Sequence, residues 1–316
     1  NRLGRHRRLS DGFKENAIMH NPSRDIMNAL ARAVLFAYAF DPEGNPDDIS
    51  LEKCLEQSID LIGSIPTIAA YAYQAKAHYH DGASLMIRNP DPKKSTSENI
   101  LMLTREDGRY TKLEAETLDL ALIIHAEHGG GNNSSFTTHV VTSSHSDIYS
   151  SVAASVLSLK GSRHGGANLR VMKQIDEIKA NVKDWHKSEN VVKYLEKIAD
   201  KKAGDRTGLI YGLGHAVYTI SDPRAQMLKA KAEALAKEKG REAEMKLFEL
   251  IESEGPKIIK RRHPNAQDVC ANVDLYSGFV YDMLGIPKDL YTPLFAVARC
   301  VSWCAHRMEE LVNKGP

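Results

Sequence analysis

Within residues 113–128 the chain carries the run Leu118-Asp119-Leu120-Ala121-Leu122-Ile123-Ile124, which is too apolar for a helix lying on a wet surface. Such a helix must be covered on most sides, so it demands several other helices packed around it. At 316 residues the chain can supply them and form one or two domains. Gly129-Gly130-Gly131 follows directly and stops the helix.

Helical periodicity continues through most of the rest. Residues 25–40 read as an Ala-rich helix, and residues 51–80 as two helices broken near Gly63 and Pro66. Residues 89–112, rich in Pro, Asp, Lys and Ser, read as a long loop. Ser146 or Asp147 caps a helix reaching Lys160. Its Ser150, Ser151, Ala153, Ala154, Ser155 and Ser158 suit close helix approach, either in the core or at a subunit interface. The composition turns more charged over residues 168–202 and 222–262, as in a smaller, more solvated helical domain. A strongly apolar helix returns at residues 290–305. Strand signals are scarce, and residues 208–219 offer at most a short hairpin. The expected fold is all-α, a large helical domain (residues 1–164 and 289–316) interrupted by a smaller one (residues 165–288).

Lys plus Arg number 42 against 41 for Asp plus Glu, so charge makes no case for nucleic acid or membrane partners. No apolar run approaches the roughly 18 residues of a membrane span. The opening run, residues 1–11, is basic and polar rather than a signal peptide, and it lacks an initiating methionine, as in a fragment or a processed end. The four cysteines, Cys54, Cys270, Cys300 and Cys304, show neither metal-ligand spacing nor a disulfide framework. A reducing, cytoplasmic setting is expected.

Ionisable groups stand where helix logic does not place them. Gly161-Ser162-Arg163-His164-Gly165-Gly166-Ala167-Asn168 joins two helices, and its glycines permit close approach of a ligand beside His164. An ordinary turn histidine would look the same. In residues 208–221 there is no Asp, Glu, Lys or Arg, so His215 is the group there that titrates near neutrality. Ser221-Asp222-Pro223-Arg224 starts a helix, with Pro suited to the first turn. Arg224 there opposes the helix dipole, so it is either solvated or set for an anionic ligand. Asp274, in Asn272-Val273-Asp274-Leu275, is either an N-cap or a base held ionised by a helix N-terminus. Arg299 is the one charge in residues 290–305. It must reach water or meet a carboxylate, and with Arg224 it suggests a dicarboxylate substrate. His125, His128 and His139 could be read as metal ligands, but His125 and His128 stand three apart rather than four. No metal is expected.

Taken in order, these segments resemble the citrate synthase family, of the bacterial type. The likeness runs from about Phe13 to the C-terminus and is densest in residues 125–133, 161–168, 212–224, 272–278 and 295–306. The resemblance implies a helical homodimer, or a higher homo-oligomer, with large and small domains and an active site in the cleft between them. It implies condensation of acetyl-CoA with oxaloacetate and hydrolysis to citrate and CoA, an acyltransferase step of the tricarboxylic acid cycle. Acetyl-CoA is then a co-substrate, and no cofactor or metal is needed. By position, His164 matches the histidine on the thioester carbonyl, His215 the one on the oxaloacetate carbonyl, and Asp274 the base. His128, Arg224 and Arg299 match the oxaloacetate-binding set, and His125 falls at the neighbouring position.

The chain departs from the family at three points. It ends at Pro316, before the segment that supplies an arginine to the partner's site, and it looks short at the N-terminus. Thr219 stands where some relatives place an arginine for CoA phosphate; Lys260, Arg261 and Arg262 could supply that charge or form only a solvated run. Three rival readings remain at this point: a 2-methylcitrate synthase using propionyl-CoA, a catalytically silent helical dimer, and a zinc hydrolase. One methylene is worth only about 1–3 kcal/mol in a pocket.

Overall fold

Ser95 and Glu98 form a reciprocal capping box, Ser95 accepting from the Glu98 N–H at 3.2 Å and Glu98 from the Ser95 N–H at 2.7 Å. They start a buried helix inside the stretch expected to be loop. The S-x-x-E signature was present in the sequence, masked by the polar residues before it. In the computed structural model, which describes residues 2–41, 44–45, 48–161, 164–215, 217–265 and 267–313, helices dominate as expected. Among the described residues, extended pairing is confined to one isolated antiparallel bridge, Leu213 to Ala271, so the expected hairpin does not form. The chain divides into two compact units, Asn1–Gly165 with Ile286–Pro316, and Gly166–Gly285.

The first unit contains α1 (Arg2–Arg5), α2 (Asp11–Phe13), α3 (Ile26–Phe36), α4 (Leu51–Asp81), α5 (Thr96–Thr104), α6 (Lys112–His125), α7 (Asn133–Ser143) and α8 (Ile148–Lys160). The second contains α9 (Ala167–Asn181), α10 (Ser188–Ala199), α11 (Pro223–Lys239), α12 (Glu242–Arg262) and α13 (Val273–Met283). The chain then returns to the first unit as α14 (Tyr291–Asn313).

The expected break in residues 51–80 is absent: α4 is one helix of 31 residues running through Gly63 and Pro66. It lies against α3, α5 and α14. An interior proline costs about 3 kcal/mol, yet Ile65, Ile68 and Tyr71 around it are each 1% exposed. Large apolar side chains contribute roughly 1.5–3 kcal/mol each on burial, so packing outweighs the break. Gly63 serves a crossing rather than a stop: a Cβ there would lie 2.7 Å from His6 Cβ of the turn after α1.

Asp147 is the cap of α8, accepting from Ser150 N at 2.8 Å. Its small face packs inside the unit. Ser155 Oγ meets Thr138 Oγ1 at 2.6 Å, and Ser151 Oγ meets Thr142 Oγ1 at 3.4 Å, so α7 and α8 approach closely through hydroxyls. All four cysteines are buried and free.

In the second unit, α9, α12 and α13 are joined through one ionic cluster. Glu244 accepts from Arg241 and Lys179, and Arg241 also donates to Asp282 at 2.7 Å and lies over the Phe279 ring, 5.0 Å from its centroid. Burial opposes ionisation of Glu244, but its bonds to Arg241 and Lys179 win and hold its pKa down to about 2. A carboxylate depressed in the folded state stabilises above its unfolded pKa of about 4.3 and loses that contribution as pH falls toward the folded value. Glu244→Gln should therefore lower stability at neutral pH by about 1.5–3 kcal/mol. The deficit relative to wild type should shrink between about pH 4 and 2, as followed by urea unfolding.

Candidate functional site

In the first unit, α6 ends at His125 and not at His128, so the two histidines do not share a helical face. His125 is fully buried and stacks on Phe295 of α14, with centroids 4.1 Å apart. Arg299, one turn further along α14, is 1% exposed, so it does not snorkel to water. Its Nε donates to the His125 carbonyl at 2.8 Å, one of the carbonyls left open at the end of α6. Its guanidinium lies 5.2 Å from the Phe295 centroid. His128 is exposed in the turn beyond. Glu127 accepts the N–H groups of His128, at 2.7 Å, and Gly129. Burial opposes the Glu127 charge, but these two N–H groups and His306 outweigh it and hold its pKa below the ordinary value.

His164 follows α8 in a turn whose neighbours Ser162 and Arg163 lie outside the described residues. The His164 and Gly165 N–H groups both donate to the Gly161 carbonyl at 2.9 Å. A Cβ on Gly165 would come 2.2 Å from the Leu159 carbonyl oxygen, so only glycine lets the chain fold back this tightly. His164 Nε2 lies 2.8 Å from Ser134 Oγ, in the first turn of α7. Burial, and then the charge of Arg299, lower the His164 pKa.

In the second unit, the backbone around the Leu213–Ala271 bridge sets His215 beside the start of α13. Gly214 N donates to the Cys270 carbonyl at 2.8 Å, and Asn272 N to the Gly212 carbonyl at 2.9 Å. Gly212 sits at φ 85°, and a Cβ there would lie 3.0 Å from Leu275 Cα, so the approach needs glycine twice over. Gln174 of α9 holds the same loop, bonding Leu209 O and Tyr211 N at 3.1 Å each. The cap of α13 is Asn272, which accepts from Asp274 N at 3.0 Å. Asp274 is thus not the cap but a half-buried first-turn carboxylate, where the helix N-terminus favours its charge.

Arg224 is neither solvated nor left against the dipole. Asp222, 1% exposed and the cap of α11, accepts from Arg224 N and Nε at 3.0 Å and from Nη2 at 2.8 Å. Its Oδ2 also accepts from Val273 N at 3.2 Å. Burial pushes the Asp222 carboxyl up, but Arg224 outweighs it and the net pKa is lowered. The Val217 and Tyr218 N–H groups donate to His215 Nδ1 at 3.0 and 3.2 Å. On the other side of the ring, Arg224 Nη2 lies 3.1 Å from His215 Nε2, so N–H donors face both ring nitrogens. Burial, and then the charge of Arg224, lower the His215 pKa.

Sequence reasoning missed Ser134 and Asp222 as positioning groups. A Ser-Asp-Pro run announces a cap, but nothing local shows that this cap also holds an arginine and a second helix. The basic run is paired: Lys260 with Asp268 at 3.0 Å, Arg261 with Glu196 at 2.9 Å, and Arg262 with Asp200 at 2.6 Å. Lys257, Lys260 and Arg261 border a cleft of about 610 Å³ in this unit.

Residues 1–315 match the family model for the citrate synthase C-terminal domain. The chain is 34% identical over 314 residues to the citrate synthase of Haloferax volcanii, covering 98% of itself and 75% of that protein. It is 35% identical over 283 residues to the Deinococcus radiodurans citrate synthase, covering 90% and 68%. Among solved structures, citrate synthase from Pyrobaculum aerophilum matches with a TM-score of 0.81 at 28% identity, over 99% of this chain and 74% of that one. The Thermoplasma acidophilum citrate synthase, solved as a ternary complex with carboxymethyl coenzyme A and oxaloacetate, matches at 0.78 and 27%, over 98% and 74%.

Histidines with lowered pKa values are neutral at pH 7, and stability falls as pH drops from the unfolded value of about 6.5 toward the folded ones. His164 and His215 should each titrate with midpoints below about 6.5 in the folded protein, followed by the imidazole NMR resonances. Replacing Arg224 by Gln should raise the His215 midpoint and leave that of His164 unchanged.

Proposed function

The chain belongs to the citrate synthase family and is an acyltransferase of the citrate (Si)-synthase type, and from that premise we propose how its own residues divide the chemistry. The two compact units are read as the family's large and small domains. His164, His128, Arg299 and His125 belong to the first unit; His215, Arg224 and Asp274 belong to the second.

The observation that carries the reading is the pairing of His215 with Arg224, whose Nη2 lies 3.1 Å from His215 Nε2. A histidine and a guanidinium set side by side suit a ligand that carries a carbonyl next to a carboxylate, such as oxaloacetate. Asp222 fixes the guanidinium for that role. Arg299 and His128 complete the oxaloacetate set, and His125, whose carbonyl holds Arg299, positions it.

The chemistry then assigns the remaining groups. Asp274 removes a methyl proton from acetyl-CoA. A thioester methyl is a very weak acid, so the enolate oxygen must be stabilised as it forms. When Ser134 Oγ–H donates to His164 Nε2, the imidazole proton lies on Nδ1 and is free to donate to that oxygen. A neutral imidazole suits this, and burial with Arg299 keeps His164 neutral. The enolate carbon bonds to the oxaloacetate ketone carbon, and His215 passes a proton to the ketone oxygen. Water then cleaves the citryl-CoA thioester to citrate and CoA. The cleft bordered by Lys257, Lys260 and Arg261 is assigned to CoA phosphates, which would take these cations from their present partners Glu254, Asp268 and Glu196.

With oxaloacetate present, thiol release should be faster from acetyl-CoA than from propionyl-CoA. Asp274→Asn should lower kcat by about 10²–10⁴-fold while leaving oxaloacetate binding intact. A preference for propionyl-CoA would overturn the substrate assignment, and full activity in Asp274→Asn would overturn the base.

A homodimer is also proposed. Phe136 and Val140, one turn apart on α7, are 61% and 50% exposed, as is Ile123 of α6 at 64%, an apolar surface suited to a second copy. Phe136→Asp should shift the protein from dimer to monomer in sedimentation velocity.

A further inference from the structure

In the first unit His139 of α7 and His306 of α14 face each other, with His139 Nε2 3.3 Å from His306 Nδ1. Glu309 Oε2 joins them, 3.2 Å from His306 Nδ1 and 4.0 Å from His139 Nε2. The outer nitrogen of each ring is engaged by a different carboxylate. His139 Nδ1 lies 2.7 Å from Glu310 Oε2, and His306 Nε2 lies 3.2 Å from Glu127 Oε2. A carboxylate only accepts, so His139 donates from Nδ1 to Glu310, which leaves the lone pair of its neutral ring on Nε2. His306 has a carboxylate 3.2 Å from each ring nitrogen, and with its proton held towards Glu127 its Nδ1 is an acceptor too. In that state two lone pairs and a carboxylate oxygen gather at one spot, all within 4.8 Å of one another.

Three acceptors gathered in this way call for a cation. Zinc bonds of about 2.0–2.1 Å at tetrahedral angles place ligand atoms roughly 3.3 Å apart. Two of the three separations already meet that spacing, and the third needs only a rotation of Glu309, whose side chain is 58% exposed. Glu310 is 7% exposed and supplies the outer carboxylate that orients a ligating histidine and strengthens it as a donor. Space is also provided: a Cβ on Gly130 would stand 3.9 Å from His306 Cε1 and 4.0 Å from His139 Nε2, so a glycine turn borders the ligands.

We propose that His139 Nε2, His306 Nδ1 and Glu309 form a site for one divalent transition-metal ion of the zinc class, with a fourth position left for water. The site takes no part in the condensation. Glu127 ties it to the turn carrying His128, because the carboxylate that engages His306 also holds the His128 and Gly129 N–H groups. A bound ion steadies that turn. The histidine group considered from sequence is thereby redrawn: His139 pairs with His306, while His125 is buried in its stack on Phe295.

The test is cobalt(II) and zinc uptake by chelator-stripped protein near neutral pH, read by the visible spectrum of bound cobalt and by elemental analysis after desalting. Wild type should retain about one ion per chain and show an intense tetrahedral-type cobalt band. His139→Gln and Glu309→Gln should abolish both, and Glu310→Gln should weaken affinity about 10–100-fold. Glu309 is exposed, so its variant folds normally, and circular dichroism verifies this. His186→Gln, an exposed histidine of the other unit, should bind as wild type does. Absence of uptake by folded wild type, or uptake unchanged in both His139→Gln and Glu309→Gln, overturns the site.

Discussion

The carboxylate of Asp222 is the interaction on which the second unit's chemistry depends. It caps α11, holds Arg224 through three bonds and accepts the first N–H of α13. A buried carboxylate is costly unless its oxygens are satisfied, and here each oxygen is. The same bonds fix where Arg224 points, and burial followed by the Arg224 charge lowers the His215 pKa against the opposing charge of Asp222. One buried anion therefore sets the position of a cation and the spacing of two helix starts. Removing it would loosen both together.

Both units solve the same problem by similar means. Each carries a histidine in a glycine-flanked turn, each histidine is partly buried, and each has an arginine whose charge disfavours the imidazolium. Neutral imidazoles are what a condensation through an enolate needs, since they donate a hydrogen bond without carrying a full charge. The partners differ: a hydroxyl from Ser134 reaches His164, whereas backbone N–H groups reach His215. The hydroxyl can turn either way, whereas the backbone N–H groups and the guanidinium around His215 can only donate.

Much of this was legible from the residues. Helical periodicity announced the all-α fold. His164, His215 and Asp274 stood out because glycines or apolar neighbours surrounded them. Errors arose where local rules met tertiary packing. Gly63 and Pro66 read as a break, but buried neighbours on three helices keep α4 whole. Residues 96–104 read as loop because Pro, Asp and Lys before them hid the capping box. For Asp274 the residues left cap and base both open, and Asn272, two residues earlier, takes the cap position.

The sequence by itself determined the fold class and the family. Periodicity and glycine placement are local properties, and local rules read them. Only the tertiary structure decided that Arg224 is held by Asp222, that His164 meets Ser134, and that His139 and His306 share a cluster with Glu309. The last two join residues 30 and 167 positions apart. Such pairs arise from how helices pack, and no spacing rule along the chain encodes them.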